Sequence, residues 1–189
     1  MIIPSDTSKY LSSWKYFEIA KYVKKLDKVI RIKNNDSPVF ITDDEIPSFR
    51  KEHSNTGLYT SVWRFNSTDL DKATRIASLY FDIDNKDETQ SLNDCIKLYQ
   101  YLIKYIPRES VLVYFTGKKG FHIECEAITL GINPSNNLPN IFRFIANQLK
   151  TKLNIESMDF SVYDARRMWR LAGSKHQDSR SEEHTSELQ

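Results

Sequence analysis

Cysteine is scarce in this 189-residue chain, with only Cys95 and Cys125 present. They are far apart, form no CxxC pair and cannot by themselves build a structural zinc site. No apolar run approaches the roughly 20 residues that a membrane span requires. Met1 to Tyr10 shows no basic stretch followed by an apolar one, so no secretory signal is legible. These features lead us to expect a reducing, cytoplasmic setting without membrane attachment. Internal repeats and low-complexity stretches are also missing. Neither sign of charge dominates, with 27 Lys and Arg against 25 Asp and Glu. Apolar residues make up 40% and charged residues 28%, as in ordinary globular proteins, so disorder is not the default. The length suits one domain, or one with a small appendage.

The last ten residues, Arg180 to Gln189, read RSEEHTSELQ. That string matches the translation of a sequencing-library adapter whose DNA begins AGATCGGAAGAGC. We expect residues 180–189 to be non-native and without structure, and the natural chain to continue past Ser179. The tail carries one Arg and three Glu, so without it the formal net charge rises from +2 to +4. Mild basicity permits nucleic-acid binding without requiring it.

Two regions follow from periodicity. Residues 1–75 form an N-terminal α/β module. Within it Trp14 to Lys33 is expected to be a helix, because Tyr16, Ile19, Val23, Leu26 and Ile30 recur at helical spacing. Val39–Ile41 and Leu58–Phe65 are expected strands, with polar, Pro-containing loops between them. Residues 76–179 are more regular. A strand over Ile76–Asp84 precedes a helix over Leu92–Ile106 that Pro107 closes. Strands Val111–Phe115 and Phe121–Ala127 form a hairpin. A helix over Leu138–Leu153 and a strand over Met158–Tyr163 complete a β-α-β-β-α-β order. That is an α+β, RRM-like core, with helices on one sheet face and the other face free for a site.

Three motifs carry chemistry. In Leu79-Tyr80-Phe81-Asp82-Ile83-Asp84, strand alternation puts Asp82 and Asp84 on one face and Phe81 and Ile83 on the other. Paired carboxylates on a rigid strand suit two divalent cations about 3.5–4 Å apart, acting on displacement at phosphorus. Alone, such a pair equally well ends a strand. In Thr116-Gly117-Lys118-Lys119-Gly120-Phe121-His122, the glycines let backbone approach a ligand, and lysines and N–H groups can hold phosphates. The spacing is not that of a Walker A loop. In the third, Asp159 offers another carboxylate. Arg167 and Arg170 flank Trp169 before Gly173-Ser174-Lys175-His176, and arginine's planar fork suits phosphate oxygens. Arg166 reads as a surface charge paired with Asp164.

Together, in this order, the three motifs resemble those of the archaeo-eukaryotic primase superfamily, including the primase-polymerases. Those proteins carry an acid pair, a (Ser/Thr)-Gly-x-x-Gly-x-His hairpin, and an acid followed by arginines. Asp82 and Asp84 match the first. Thr116, Gly117, Gly120 and His122 match the second. Asp159, Val162, Tyr163, Arg167, Arg170 and Ser174 match the third. The likeness covers Ile76 to His176. Many relatives carry a zinc-binding insertion, for which this chain has too few cysteines.

The resemblance implies a DNA primase or primase-polymerase, a metal-dependent nucleotidyltransferase making primers in DNA replication. Asp82, Asp84 and Asp159 would bind two Mg²⁺ or Mn²⁺ ions. Thr116, Gly117, Lys118, Lys119, Gly120, His122, Arg167, Arg170, Ser174 and His176 would hold the incoming nucleoside triphosphate. A single-stranded DNA template would cross the sheet, with Tyr114, Trp63 and Trp169 as possible stacking partners. A fused or associated helicase, and a prokaryotic, viral or mobile-element origin, are further expectations. Two other readings remain open: a non-catalytic RRM-like nucleic-acid-binding module, and a metal-dependent nuclease.

Overall fold

The computed structural model describes residues 12–116 and 119–176, and the backbone of 184–185. The polypeptide divides into two compact units. One comprises residues 12–76 with 166–176, and the other 77–165 with 184–185. The third motif is therefore divided. Asp159 belongs to the second unit, and Arg167, Arg170, Ser174 and His176 to the first.

The first unit opens with strand β1 (Phe17–Val23), a 3₁₀ turn, and β2 (Lys28–Arg31). The expected helix over Trp14–Lys33 is thus wrong. Phe17, Glu18, Ile19 and Ala20 are all buried, so both faces of β1 are covered there, and β1 pairs with neighbours on both edges. A strand covered on both faces loses its period-2 alternation, and the surviving apolar spacing imitates a helix. Its aromatic and β-branched residues and Asp27, which closes the turn at φ 49°, favour the hairpin. A short β3 (Lys33–Asn34) and β4 (Ser37–Pro38) hairpin leads to β5 (Phe40–Ile41), which pairs with β1.

A helix that the sequence reading took for loop follows: α1, Ile46–Glu52. It is entered through a 3₁₀ turn, Asp43–Glu45, which Thr42 and Glu45 cap in a capping box. β6 (Leu58–Ser61), β7 (Arg64–Phe65) and β8 (Arg75–Ile76) complete this stretch. Ile19, Ile41, Phe49, Leu58 and Leu171 form a core cluster.

The second unit begins with β9 (Leu79–Ile83), α2 (Glu88–Leu102), β10 (Val111–Phe115), β11 (Phe121–Cys125) and α3 (Leu138–Leu153). Asp87 caps α2 by accepting the N–H groups of Thr89 and Gln90. Pro139 lies in the first turn of α3, and Asn154 ends that helix in the left-handed region. The sheet is antiparallel, in the order β10-β11-β9, with a two-residue strand (His184–Thr185) on the free edge of β10. Among the described residues no helix is long and apolar enough to cross a membrane.

The last expected strand does not form. Of Met158–Tyr163, only Met158 bridges to β9, opposite Ile83. The Asp159 carboxylate accepts the backbone N–H and the hydroxyl of Ser161, both at 2.7 Å. That local turn competes with continued pairing and bends the chain away. β12 (Met168–Arg170) then pairs with β6 in the first unit. Most of residues 180–189 lie outside the described residues. However, β13 (His184–Thr185) pairs with Phe115 and Tyr114 of β10, so the expectation of no structure there fails at these two positions. Among the described residues nothing else pairs with that edge of β10, and a bare edge accepts an extended segment.

One buried charge ties the second unit together. Asp94 falls on the buried stripe of α2 with Ser91, Cys95, Leu98 and Leu102 and is fully covered. Burial alone would raise its pKa, but hydrogen bonds from Ser157, Gln90 and Glu156 outweigh that and bring it from 3.8 to about 2. The folded value lies below the unfolded one, so the stabilisation is complete above about pH 4. It is lost as pH falls towards the folded value near 2, and the pH-dependent part is about 2 kcal/mol. The wild type should therefore exceed Asp94→Asn in unfolding free energy by more at about pH 6 than at about pH 2 in urea titrations. An unchanged difference across that window would refute the assignment.

Candidate functional site

The site is built on three adjoining segments of the second unit. In antiparallel pairing, residues directly opposite each other present side chains on the same face. His122 on β11 is opposite Asp82 on β9, and Tyr114 on β10 is opposite His122. On the far edge of β9, Asp84 N–H donates to Ser157 O at 2.8 Å and Asp159 N–H donates to Asp82 O at 2.9 Å. These bonds flank the Ile83–Met158 bridge and continue its register. One row thus runs Tyr114, His122, Asp82, Asp159, and the next runs Gly120, Asp84, Ser157. Phe81 and Ile83, on the opposite face, are completely buried.

Each carboxylate has its own donor. Asp82 Oδ1 lies 3.7 Å from His122 Nε2, and both side chains are nearly covered, at 13% and 11% exposure. Asp84, 45% exposed, lies 3.5 Å from Lys119 Nζ. Asp159 holds Ser161. Burial pushes the Tyr163 phenol up, and Tyr80, Asp82 and Asp159 add to the effect. Tyr163 and Tyr80 lock the segment reciprocally. Tyr163 Oη donates to Tyr80 O at 2.9 Å, and Tyr80 Oη donates to Val162 O at 3.0 Å. Among the described residues, no group of three acidic, histidine or cysteine side chains is drawn together closely enough to hold a metal ion.

The hairpin turn is tied at its base. Thr116 N–H donates to Gly120 O at 3.0 Å, and Gly120 N–H donates to Thr116 Oγ1 at 3.2 Å. Gly117 and Lys118 lie outside the described residues. Gly120 is pressed against the end of β9. A Cβ there would sit 2.9 Å from Ile83 O and 3.5 Å from Asp84 Cβ.

The other predicted residues belong to the first unit. Arg167 and Arg170 flank Trp169 on β12 and are half-buried. The Arg170 guanidinium lies 6.0 Å from the Tyr59 ring centre. The Ser174 hydroxyl is fully buried and accepts Leu58 N–H at 3.1 Å, which ties its segment to β6. His176 is buried as well. Trp63 and Trp169 are core residues, at 0% and 9% exposure, so neither is placed to stack on a template. Tyr114 is half-buried.

Two acids escaped the sequence reading. Glu18 is fully buried in β1 and pairs with Arg31 at 3.0 Å and with Arg166. Arg166 is therefore the partner of a buried acid rather than only a surface charge. Reading Trp14–Lys33 as a helix hid Glu18. Asp94 left a usable signal, an acid three residues after Ser91 and four before Leu98 on an apolar helix stripe.

No protein-family model matches the chain, and no curated protein matches it in sequence. Among solved structures it is similar to the polymerase domain from Mycobacterium tuberculosis Ligase D in complex with DNA. The TM-score is 0.61 and the identity 10%, over 96% of this chain and 77% of that one. At this identity the likeness is one of fold.

Gly120→Ala tests the contact between hairpin and β9. The new methyl meets backbone that cannot rotate away, so the hairpin must shift. Overpacking of this kind costs about 1–3 kcal/mol, which thermal melts would register as a lowered Tm. An unchanged Tm would mean that the hairpin does not pack on β9 as described.

Proposed function

We propose that this chain is the catalytic core of a DNA primase or primase-polymerase, performing template-directed nucleotidyl transfer. The observation that carries the reading is the alignment of Asp82, Asp84 and Asp159 on one sheet face, with His122 and Lys119 of the hairpin against two of them. The polymerase-domain fold of the similar structure and the three ordered motifs support it. So does the strand order β10-β11-β9 with Met158 bridging to the outer edge of β9. In this reading that order would be that of an RRM-like core with a single bridge in place of its fourth strand.

The donor set fits Mg²⁺ or Mn²⁺. All three side chains offer hard oxygen donors, and each carboxylate has lone pairs beyond those in use. Mg²⁺ in such sites takes one or two carboxylates and completes its shell with water and substrate phosphate oxygens. A closed protein cage is therefore not required before substrate arrives. Asp82, Asp84 and Asp159 would hold the ions, which when bound supply charge stabilisation to the attacking and departing oxygens.

The chain's own residues do the rest. Lys119, 3.5 Å from Asp84, and His122, 3.7 Å from Asp82, would turn to the triphosphate once the carboxylates take up cations. Swapping one ionic partner for another avoids leaving any of these charges unpaired. Thr116 and Gly120 close the base of the turn, and N–H groups of such a turn would serve phosphate. The motif assigns Arg167, Arg170 and His176 to phosphate contacts too. Ser174 would act through the backbone that it anchors. Single-stranded DNA is the template and nucleoside triphosphates are the substrates in this reading.

Incorporation of labelled nucleotide on single-stranded DNA, with and without divalent cation, tests the proposal. Asp84→Asn should abolish incorporation and leave the melting temperature nearly unchanged, since an exposed ion pair contributes only about 0–1 kcal/mol. Near-normal Mn²⁺-supported synthesis by that variant would refute the metal assignment. His122→Ala should weaken nucleoside triphosphate binding by roughly 10- to 100-fold, the loss of one charge-assisted hydrogen bond. Calorimetry showing nucleotide affinity intact but metal affinity lost would assign His122 to the metal instead.

A further inference from the structure

Asp159 reaches the site from a segment that has no strand of its own. β9 rests in a sheet, but residues 156–161 make only a single bridge to it. A carboxylate on so short a contact needs other restraint if it is to stay aligned with Asp82. That restraint comes from α2. Asp94 Oδ2 accepts the N–H of Glu156 at 2.9 Å and of Ser157 at 3.0 Å. Its other oxygen meets Lys97 Nζ at 3.2 Å. Ser157 donates its N–H to Asp94 and accepts Asp84 N–H at its own carbonyl, and two residues on, Asp159 N–H donates to Asp82 O.

We infer that Asp94 is a positioning residue, which acts through the Glu156–Ser157 backbone to hold Asp159 in register with Asp82 and Asp84. The inference rests on the nucleotidyltransferase reading of the site. Its physical basis is the cost of the arrangement. A wholly buried carboxylate is unfavourable unless its acceptor sites are filled, and here two of the donors are the backbone of the segment that delivers Asp159. An apolar residue at position 94 would pack the helix without that cost, and it would leave two N–H groups unanswered where the segment joins β9. Ser161, bonded to the Asp159 carboxylate, sets the side chain, whereas Asp94 sets the backbone beneath it. A supporting residue of this kind is commonly worth roughly 10- to 100-fold in metal affinity or activity.

The test uses the full chain and Mn²⁺ alone as probe, with binding followed by electron paramagnetic resonance. Asp94→Asn, which keeps the shape and one acceptor, should bind Mn²⁺ roughly 10- to 100-fold more weakly than the wild type. Its kcat for nucleotide incorporation should fall by a similar factor while KM for the nucleotide changes little, and excess Mn²⁺ should restore part of the rate. In an Asp159→Asn background the same substitution should cost no further Mn²⁺ affinity, because the group it positions is gone. A purely structural or through-space electrostatic role predicts additive losses in the two backgrounds, and additivity overturns the inference. So does wild-type Mn²⁺ affinity in folded Asp94→Asn. A wild-type chain that binds no Mn²⁺ and incorporates no nucleotide overturns the site reading itself, and this inference with it. Should Asp94→Asn fail to fold, hydrogen exchange of the wild type decides. Slow Glu156 and Ser157 amides that quicken as acid protonates Asp94, ahead of the β9 amides, support the clamp, and amides exchanging as freely as an exposed loop refute it.

Discussion

Two backbone hydrogen bonds set whether Asp159 shares a face with Asp82 and Asp84: Asp84 N–H to Ser157 O, and Asp159 N–H to Asp82 O. They join β9 to a segment that is otherwise turn and loop. Because side chains alternate along extended backbone, a slip of one residue would turn Asp159 to the buried face and put Met158 in its place. The register is held from below by Asp94 and, further along, by the reciprocal Tyr80 and Tyr163 bonds. The Ile83–Met158 contact between them is buried on both sides. Burial of apolar side chains on one face thereby specifies where the carboxylates stand on the other.

Like charges on one surface repel, and the sheet manages this by distributing counter-donors. His122 faces Asp82, Lys119 faces Asp84, and Ser161 serves Asp159. The partners differ in how firmly they are fixed. His122 is part of a five-residue strand registered against β9, while Lys119 extends from the turn with a third of its side chain exposed. Gly120 lets that turn close onto β9, since any side chain at this position would strike Ile83 O. The same packing that positions the hairpin also keeps its cationic groups beside the acids that a metal-dependent transfer reaction would use.

The first unit relies on a different device. Glu18 sits fully buried in a central strand and holds Arg31 and Arg166. A buried acid is stable only when paired, so Glu18 fixes the start of the segment that carries Arg167 and Arg170. Its far end is pinned by Ser174 Oγ, which accepts Leu58 N–H, and by Asn55 Nδ2, which donates to Gly173 O. None of this was legible from the local pattern. A strand buried on both faces carries no alternation, and residues 14–33 consequently read as a helix. The Thr42–Glu45 capping box was legible but was passed over, and with it α1.

Where local pattern and tertiary environment agree, the sequence was sufficient. β10 spans Val111–Phe115 and α3 spans Leu138–Leu153 as their periodicity predicts, and strand alternation alone puts Asp82 and Asp84 on one face. These are short-range properties, set by backbone geometry and by the spacing of apolar residues within a single element. Asp159 is another matter. Its strand-like surroundings suggested a strand that its own carboxylate, by capturing Ser161, prevents. Its place beside Asp82 depends on hydrogen bonds to residues more than 60 positions away. Only the folded chain brings those donors and acceptors together, because the partners of a buried polar group are chosen by packing and not by neighbours in sequence.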